Sequence, residues 1–471
     1  MSYAMPDYLS SLPEPERQRY RDKLCVDGVA FDDPYAVNKA CWTSDVKLLP
    51  PKSTAHVVVY LVFLPSQFTA DTVAYKSLGA YDYFESVSAL PAGSAVCGSA
   101  ELDFWNNVLV EGHAGLIQVP PESVDEIISV MESSGMQYHI KTDDLQSLIN
   151  AEKHLMVPDE QVDSSQEPSS EELFDFSKYH SYKAVTRSLS AYAKAHSFVQ
   201  LQTIGQTHDD NDIVAVRVAR RQTLPVVLID CGIHAREWVT ISACMYIINE
   251  LIGAEAPGSN ISSIVNSYEW WVIPCLNPDG YEFSRKKNRL WRKNRSLQYS
   301  FNGTRCAGTD LNRNFDVSFC SGQDEADPCK ETFCGKAPFS EPETHAFREL
   351  VAELRNRIAF YFSLHAFGDL WLIPYSFRVE RPPDYDELMA RATRAVRAIK
   401  TLSGETYKAG PVSSMLYLAP GTAIDWMYVK KSIRMSFTVE VSGEKVGFLL
   451  SQSEIARTSK QVWTGVLAVV Q

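Results

Sequence analysis

The stretch Pro225-Val-Val-Leu-Ile-Asp-Cys-Gly-Ile-His-Ala-Arg-Glu-Trp238 joins an apolar run to a group of polar side chains. Its first seven residues are mostly apolar or β-branched, a composition that is typical of a strand buried within a sheet. His234 and Glu237 follow this strand, and their three-residue spacing lets both side chains converge on one side of a turn. Two such groups are the short-spacer half of a catalytic zinc site, which uses three protein ligands and leaves a fourth position for water.

A third ligand is predicted at the end of a second strand. Phe360-Tyr-Phe-Ser-Leu-His365 is a continuous apolar run that ends in a histidine, 131 residues after His234. Taken alone, such a histidine is more often packed in a core than bound to a metal, and an isolated HxxE pair is often a surface His beside a surface Glu. The other histidines, such as His345 in a predicted helix, lack this position at a strand end.

Further apolar β-rich runs alternate with longer helical patterns from about residue 174 onward. These runs are 213–218, 225–231, 270–274, 358–364 and 435–441. Alternation of this kind predicts an α/β domain in which helices pack over a mostly buried sheet.

Composition excludes several classes of protein. The 471 residues are 45% hydrophobic and 22% charged, as in globular proteins, and the net charge of −13 argues against nucleic-acid binding. The longest apolar run, around Val57 to Leu64, is far shorter than the roughly 20 residues that span a bilayer. Residues 1–22 are polar and charged, so no signal peptide is visible in this chain.

Charge is unevenly distributed along the chain. Residues 101–173 contain 16 acidic and two basic side chains, whereas residues 174–471 contain 31 acidic and 35 basic ones. An acidic segment before a slightly basic domain favours electrostatic covering of one part by the other, although a solvated acidic surface explains the count equally well. Residues 157–173 are too polar to bury a core and are predicted to be a linker.

The region before the linker has the pattern of a small α/β unit. Val124, Ile127 and Met131 predict one apolar helix face, and the alternation of Tyr138 and Ile140 predicts a strand. A second short helix is predicted around Leu148. Seven of the ten cysteines lie between residues 231 and 334 without a paired CxxC pattern, which indicates disulfides formed in an oxidising compartment.

Five further motifs follow the His-Ala-Arg-Glu-Trp motif within about 210 residues. They are NPDGY (277–281), LWRKNR (290–295), GTDLNRNF (308–315), IDW (424–426) and SFTVE (436–440). Together with the first motif they resemble the A/B-type zinc metallocarboxypeptidases, the family of the pancreatic carboxypeptidases A and B. The resemblance implies a mixed, mostly parallel twisted sheet flanked by helices, preceded by a small α/β inhibitory pro-segment.

The resemblance also implies a division of the chain. Residues 174–471 would be the catalytic domain, 157–173 the acidic linker and 99–156 a partial pro-segment that inhibits by lying over the mouth of the site. Residues 1–98 would be an extension foreign to the family, either a fusion or a replacement of the leader and the start of the pro-segment.

Site residues follow from the same resemblance. One zinc ion would be held by His234, Glu237 and His365, with Asp310 orienting His234. Glu440 would be the general base that takes a proton from the attacking water, and Arg292 would stabilise the oxyanion. The residues implied to bind substrate are Arg236, Asn312, Arg313, Tyr417 and, at the base of the specificity pocket, Ile424.

The resemblance implies disulfides between Cys231 and Cys244, Cys306 and Cys329, and Cys320 and Cys334. Cys275 would be a buried thiol, and the states of Cys25, Cys41 and Cys97 stay open. The specificity pocket would be lined by Ser376, Val412, Leu416, Ala419, Ile424 and Thr438.

The expected activity is zinc-dependent removal of C-terminal residues, with a preference for aliphatic and aromatic side chains because Ile424 is apolar. The expected partners are peptide or protein C-termini and an activating protease, without nucleic acid or membrane, and the expected state is a secreted monomer. Three alternatives are a silent protein that binds peptide C-termini, B-type specificity for Lys and Arg, and a nucleic-acid role for residues 1–100. The eight basic and 11 acidic residues in 1–100 argue against the last.

Two departures from the family pattern bear on function. Ala366-Phe367 stands where the family usually has Ser-Tyr, which affects an outer subsite rather than the zinc ligands. The linker 157–173 has no basic residue for trypsin-like activation, so the activating protease and its cleavage site stay undetermined, as does the physiological substrate.

Overall fold

The computed structural model describes residues 57–62, 103–106, 114–133, 137–157 and 174–471, the last range without 222, 255–258, 297–298, 302–303, 323 and 442–446. Predictions for the rest of residues 1–98, for the linker beyond Val157 and for Cys25, Cys41 and Cys97 lie outside these residues. The chain divides into two compact units, Met1–Leu148 and Ile149–Gln471.

The smaller unit contains an antiparallel sheet with the strand order β2-β3-β1-β4. Its strands are β1 (Val57–Val62), β2 (Asp103–Asn106), β3 (Ala114–Val119) and β4 (Gln137–Thr142). A short helical turn (Pro121–Ser123) and helix α1 (Val124–Ser133) follow β3, and helix α2 (Leu145–Glu152) follows β4. The predicted apolar face of α1 is buried at Val124, Ile127 and Met131.

Strand β1 pairs with both β3 and β4 and is therefore an inner strand of this sheet. The apolar run that was assigned to a foreign extension thus lies in the same unit as the pro-segment strands. An apolar strand is more favourable paired inside a sheet than alone in an extension, and the boundary at residue 98 stays a prediction.

The larger unit is built on a sheet with the order β13-β12-β14-β11-β7-β8-β6-β5. Its strands are β5 (Val199–Gln206), β6 (Asp212–Val218), β7 (Val226–Asp230), β8 (Glu269–Ile273), β11 (Ile358–Ala366), β12 (Leu370–Ile373), β13 (Lys408–Pro411) and β14 (Met435–Val441). A separate hairpin is formed by β9 (Tyr299–Phe301) and β10 (Thr304–Cys306).

The central strands β8, β7, β11 and β14 are parallel, as is the edge pair β12–β13, whereas β5–β6, β6–β8 and β12–β14 are antiparallel. The predicted α/β class with a mixed, mostly parallel sheet is confirmed. Strands β5, β12 and β13 were not predicted, because they are short or only partly buried and lack a continuous apolar run.

Helices cover the sheet. The longer ones are α3 (Tyr182–Ala195), α4 (Trp238–Gly253), α5 (Pro278–Lys286), α6 (Pro342–Leu354), α7 (Tyr385–Ser403) and α8 (Gln452–Val470). Shorter helical turns are Lys153–Leu155, Ser262–Val265, Leu311–Arg313, Asp324–Ala326, Arg355–Arg357, Val412–Met415, Ala423–Asp425 and Trp426–Lys430.

Strand β7 is buried along its whole length, as its apolar run predicts. Val226 and Leu228 share one core cluster with Phe347 of α6. Each fully buried aliphatic side chain stabilises the fold by about 1.5–3 kcal/mol relative to exposure. This core fixes the strand whose carboxyl end carries the HxxE motif.

Two residue patterns fix where helices near the site begin. The Asn277 side chain accepts a hydrogen bond from the Gly280 amide at 3.0 Å, and Pro278 occupies the first turn of α5. At α8, Ser451 and Glu454 form a reciprocal capping box.

The larger unit begins before the predicted start of the catalytic domain at residue 174. Backbone hydrogen bonds join Val157 to Tyr179 at 2.9 Å and Tyr179 to Leu155 at 2.8 Å. Glu152 also forms a buried ion pair with Arg289. The end of the predicted pro-segment is therefore part of the larger unit. Among the described residues, no helix combines the length and apolar character needed to cross a bilayer.

Candidate active site

Three adjacent parallel strands deliver the predicted ligands and base to one edge of the sheet. Strand β7 ends at Asp230 and leads into the loop with His234 and Glu237, while His365 lies at the end of β11. In the parallel register, His365 is paired with Glu440 on β14. Because the carboxyl ends of parallel strands meet at the same edge, residues 131 positions apart become neighbours.

The ligand atoms of His234, Glu237 and His365 all lie within 4.8 Å of one another, and the three residues are buried. His234 Nδ1 is 2.7 Å from Glu237 Oε1 and 3.2 Å from His365 Nδ1, and His365 Nδ1 is 3.3 Å from Glu237 Oε2. Two imidazoles and a carboxylate that face one point are a donor set typical of catalytic zinc. The residues therefore fit a zinc ion.

The outer ring nitrogens of both histidines have hydrogen-bond partners. His234 Nε2 lies 3.1 Å from Asp310 Oδ1, and His365 Nε2 lies 3.0 Å from Ser363 Oγ. Such contacts select the tautomer that leaves the inner nitrogen free to bind a metal. Ser363 was not identified from the sequence. Its position two residues before His365, on the same face of a strand, is the signal that could have found it.

Burial and charge set the protonation states at this site. Burial, together with the positive charge of Arg292, lowers the pKa of His234, which favours the neutral ring that a metal needs. Burial alone would raise the pKa of Asp310, but Arg292, His234 and Arg313 outweigh it and hold this pKa well below its usual value. Asp310 therefore stays ionised and accepts hydrogen bonds.

Glu440 has the opposite balance. Burial raises the pKa of its carboxyl above the usual value and the charge of Glu237 adds to this rise, while His365 and Arg292 oppose it. A carboxyl with a raised pKa is a better proton acceptor once ionised than an ordinary surface glutamate.

Arg292 is held by the same carboxylate that contacts His234. Its Nε donates to Asp310 Oδ2 at 3.0 Å, and Nη2 lies 2.9 Å from the same oxygen. Arg292 Nη1 lies 4.0 Å from Glu237 Oε1. Asp310 thus joins the predicted oxyanion arginine to one of the predicted ligands.

The structure also brings together Asn312, Arg313 and Tyr417. Arg313 Nη2 donates to the Tyr417 hydroxyl at 3.0 Å, and Arg313 Nε lies 3.4 Å from Glu325 Oε1. Asn312 Oδ1 accepts from the Ala423 amide at 2.9 Å, which ties this group to the segment that carries Ile424.

Gly421 permits this arrangement. Its φ is +70°, in the left-handed region that other residues rarely adopt, and an added Cβ would lie 2.2 Å from the Arg313 carbonyl oxygen. A side chain at position 421 would therefore push the segment away from Arg313.

The predicted pocket residues lie close to one another. Ile424 is 2% exposed and shares an apolar cluster with Val412 and Leu370, against which Leu416 packs. The Ala419 amide donates to the Ser376 carbonyl at 2.8 Å, and Thr438 is buried on β14.

Asp425, next to Ile424 in the chain, is hydrogen-bonded to the loop at Ser376 and Phe377. Its carboxylate accepts from the Ser376 amide at 2.9 Å, from the Phe377 amide at 2.9 Å and from the Ser376 hydroxyl. Burial raises its pKa to about 6 in spite of these bonds. Its carboxylate oxygens thus accept hydrogen bonds from Ser376 and Phe377 of one loop.

Arg236 is buried, with Nη1 3.3 Å from the Leu290 carbonyl oxygen and its guanidinium 4.4 Å from the Phe448 ring centre. Phe367, at one of the departures from the family pattern, meets the Phe448 ring edge-on at 5.0 Å. Arg289 was not predicted from the sequence, yet its Nη1 donates to the Arg236 carbonyl at 2.7 Å.

Within the described residues, the structure has the disulfides Cys231–Cys244, Cys306–Cys329 and Cys320–Cys334, the pairs that the resemblance implies. Cys275 is a buried thiol, and burial raises its pKa well above the usual value. Two of the disulfides hold the loops around residues 306–334, which carry Asp310 and Arg313.

Comparison with known proteins gives two family matches. Residues 185–465 match the zinc carboxypeptidase family, and residues 97–152 match the carboxypeptidase activation peptide. The chain is 30% identical over 373 residues to carboxypeptidase A2 of Rattus norvegicus, with 79% of this chain and 87% of that protein covered. It is 29% identical over 377 residues to carboxypeptidase B of Bos taurus, with the same coverage.

A solved structure gives the same result for the fold. Carboxypeptidase A from Helicoverpa armigera superposes with a TM-score of 0.73 at 26% identity, covering 88% of this chain and 97% of that one.

Proposed function

Because this chain belongs to the zinc carboxypeptidase family and is a metallocarboxypeptidase, we propose that it releases C-terminal residues with aliphatic or aromatic side chains. The observation that carries the preference is the buried, apolar environment of Ile424. Both A-type and B-type enzymes are among the relatives at about 30% identity, so the family alone leaves this preference open.

His234, Glu237 and His365 are the residues that we assign to one zinc ion. Zinc, when bound, would polarise the scissile carbonyl and make a water molecule more acidic. The contribution of the chain is to present three ligand atoms within 4.8 Å of one another and to orient both rings from outside.

Glu440 is assigned as the general base. It sits beside His365 in the strand register, and its raised pKa suits a group that accepts a proton from the attacking water and passes it to the leaving amine. Arg292 is assigned to the developing negative charge on the carbonyl oxygen, because Asp310 fixes its guanidinium next to the ligand cluster.

Asn312, Arg313 and Tyr417 are assigned to the terminal carboxylate of the substrate. An arginine can bind a carboxylate by two parallel hydrogen bonds, and an amide and a phenol supply further donors. Recognition of the free carboxylate would restrict cleavage to the last peptide bond. Arg236 is assigned to the peptide chain further upstream, beside the aromatic pair Phe367 and Phe448.

The side-chain preference follows from the cost of burying charge. Placing a Phe or Leu side chain against Ile424 would gain roughly 1.5–3 kcal/mol, whereas an unpaired ammonium there would cost several kcal/mol. Asp425 offers no compensation, since its oxygens are bonded to Ser376 and Phe377.

Latency is a further part of the proposal. The match to an activation peptide ends at Glu152, the residue that pairs with Arg289 in the larger unit. We assign this pair to holding the activation peptide until a protease removes it. Secretion of a monomer is also proposed, because disulfides form in oxidising compartments.

The test is digestion of matched peptides that end in Phe, Leu, Lys or Arg, before and after removal of zinc by a chelator. The expected result is chelator-sensitive release of Phe and Leu. Faster release of Lys and Arg would indicate B-type specificity, and binding of peptides without any release would indicate a silent relative.

A further inference from the structure

A buried chain of hydrogen bonds connects Asp230 to His365 through Ser363. The Ser363 hydroxyl donates to Asp230 Oδ1 at 3.0 Å. Ser363 Oγ also lies 3.0 Å from His365 Nε2. The exposed fractions of Asp230, Ser363 and His365 are 0%, 1% and 2%. Water therefore does not compete for these contacts.

The parallel pairing of β7 with β11 creates this chain. Asp230, the last residue of β7, is the register partner of Ser363 on β11. Ser363 and His365 are two positions apart on one strand, so their side chains point to the same face. The sheet register therefore places the three groups in line.

The hydroxyl has a single proton, which decides the direction of the hydrogen bonds. Since an ionised carboxylate only accepts, the Ser363 proton goes to Asp230, and the Ser363 oxygen must then accept from His365 Nε2–H. A histidine protonated at Nε2 has its lone pair on Nδ1, the atom that faces Glu237 and His234.

We propose that Asp230 and Ser363 are positioning residues that set the tautomer and ring orientation of His365 for zinc. This inference rests on the proposed zinc site. It assigns to His365 what Asp310 does for His234, with one difference: Asp310 touches its histidine directly, whereas Asp230 acts through a hydroxyl.

The difference has a consequence for the two histidines. Asp310 is also bonded to Arg292, so it serves both a ligand and the oxyanion arginine. Within the contacts described here, Asp230 and Ser363 have no such link to Arg292 or to the residues assigned to substrate. Their removal should therefore change zinc binding while leaving the Michaelis constant of the zinc-loaded enzyme near its original value.

The experiment measures the zinc dissociation constant of the full chain by competition with a chromogenic chelator. Ser363→Ala is expected to weaken zinc binding about 10–100-fold, the usual effect of losing a hydrogen-bond partner of a ligand histidine. Asp230→Asn is expected to weaken it less than Ser363→Ala does, but by more than about threefold. Ser363→Thr keeps the hydroxyl and is expected to retain most of the affinity.

Ser436→Ala is the matched control. Ser436 is a buried serine on β14 that donates to the Ile433 carbonyl at 2.7 Å and has no described contact with a ligand residue. It should lose comparable stability and retain its zinc affinity. The measurement is repeated on folded protein only, as judged by circular dichroism, so that loss of fold is not counted as loss of affinity.

Zinc affinity of Ser363→Ala and Asp230→Asn within threefold of the unsubstituted protein would overturn the inference. This outcome is distinct from failure of the proposed function, in which the unsubstituted protein itself would bind no zinc or release no C-terminal residue. Should Ser363→Ala fail to fold, Asp230→Asn is compared with Ser363→Thr. Weaker zinc binding by Asp230→Asn supports the inference, and equal zinc affinity of the two variants overturns it.

Discussion

The Glu152 carboxylate and the Arg289 guanidinium form a two-point ion pair, in which Nη2 lies 3.0 Å from Oε1 and Nε donates to Oε2. Glu152 is 4% and Arg289 6% exposed. Arg289 also donates to the carbonyls of Arg236 and Phe448 and stacks 3.7 Å from the Trp238 ring centre. A residue of the matched activation peptide is thus joined to residues next to the proposed substrate path.

Glu152→Gln is expected to raise the basal activity of the intact chain. Removing one partner of a buried pair costs about 3–5 kcal/mol, because the other charge is left buried, and each 1.4 kcal/mol is tenfold in an equilibrium constant. A rise of roughly tenfold or more in peptide release before any proteolysis is therefore expected. The measurement is the rate on a peptide ending in Phe.

The control for this variant is Glu126→Gln, which makes the same change of charge at an exposed position of α1. It should leave basal activity unchanged. Arg289 itself is a poor choice for substitution, because its bonds to Arg236 and Phe448 would also be lost. Equal basal activity in all three proteins would remove the role given to this pair.

Glu440→Gln is expected to keep zinc and lose turnover. The substitution removes the proton acceptor and leaves His234, Glu237 and His365 intact, so kcat should fall by roughly 10²–10⁴-fold or more. Zinc content by metal analysis and kcat on one peptide check the two parts. The control is Glu343→Gln, which changes a buried glutamate that has no role in the proposed mechanism. Near-normal kcat in Glu440→Gln would show that another group is the base.

Ile424→Asp is expected to reverse the side-chain preference. An acid at this position can pair with a substrate Lys or Arg. Covering the same charge with an apolar substrate side chain would be unfavourable, because the carboxylate would be buried without a partner. The ratio of kcat/KM for Phe over Lys termini should fall by about 100-fold or more. Ile424→Val, which keeps the position apolar, should retain the original preference, and an unchanged ratio in Ile424→Asp would mean that position 424 does not contact the substrate side chain.

Glu343→Gln is expected to change how stability depends on pH. Glu343 is fully buried, its Oε2 accepts from Asn294 Nδ2 at 3.0 Å, and its Oε1 has no hydrogen-bond partner among the described residues. Burial raises its pKa from 4.5 to about 8, and the neighbouring Glu341 adds to the rise.

The sign follows from proton counting. Between pH 4.5 and about 8 the folded protein keeps this proton while the unfolded chain has lost it, so the free energy of unfolding falls as pH rises. The slope from one such group is at most about 1.4 kcal/mol per pH unit. Glutamine cannot ionise, so the stability of Glu343→Gln relative to the unsubstituted protein should increase from pH 5 to pH 8.

Urea unfolding of both proteins at several pH values measures this difference. Other buried acids, such as Asp230 and Asp425, contribute equally to both proteins and cancel. A difference that stays constant with pH would show that Glu343 is already ionised in the folded state.

The order of motifs and the apolar periodicity of the chain were enough to predict the fold class and to nominate the ligand residues. A continuous apolar run followed by HxxE predicts a buried strand that ends in a polar turn, and this is what β7 and its loop are. These features are local, because they depend on the spacing of side chains along one element.

Contacts between elements could not be read in the same way. Whether His365 meets His234 depends on the pairing of β7 with β11, which is set by the whole sheet. The short strands β12 and β13 were missed for a related reason: four residues carry too little periodicity to distinguish a strand from a loop.

The sequence by itself therefore determined the kind of chemistry, through residue types and their local spacing. The tertiary structure alone decided which residues contact one another around the proposed site: Ser363 lies beside His365, Arg289 pairs with Glu152, and Asp425 is hydrogen-bonded to the loop at Ser376. Hydrogen bonds and ion pairs act over about 3 Å, and only strand register and helix packing bring distant residues within that range.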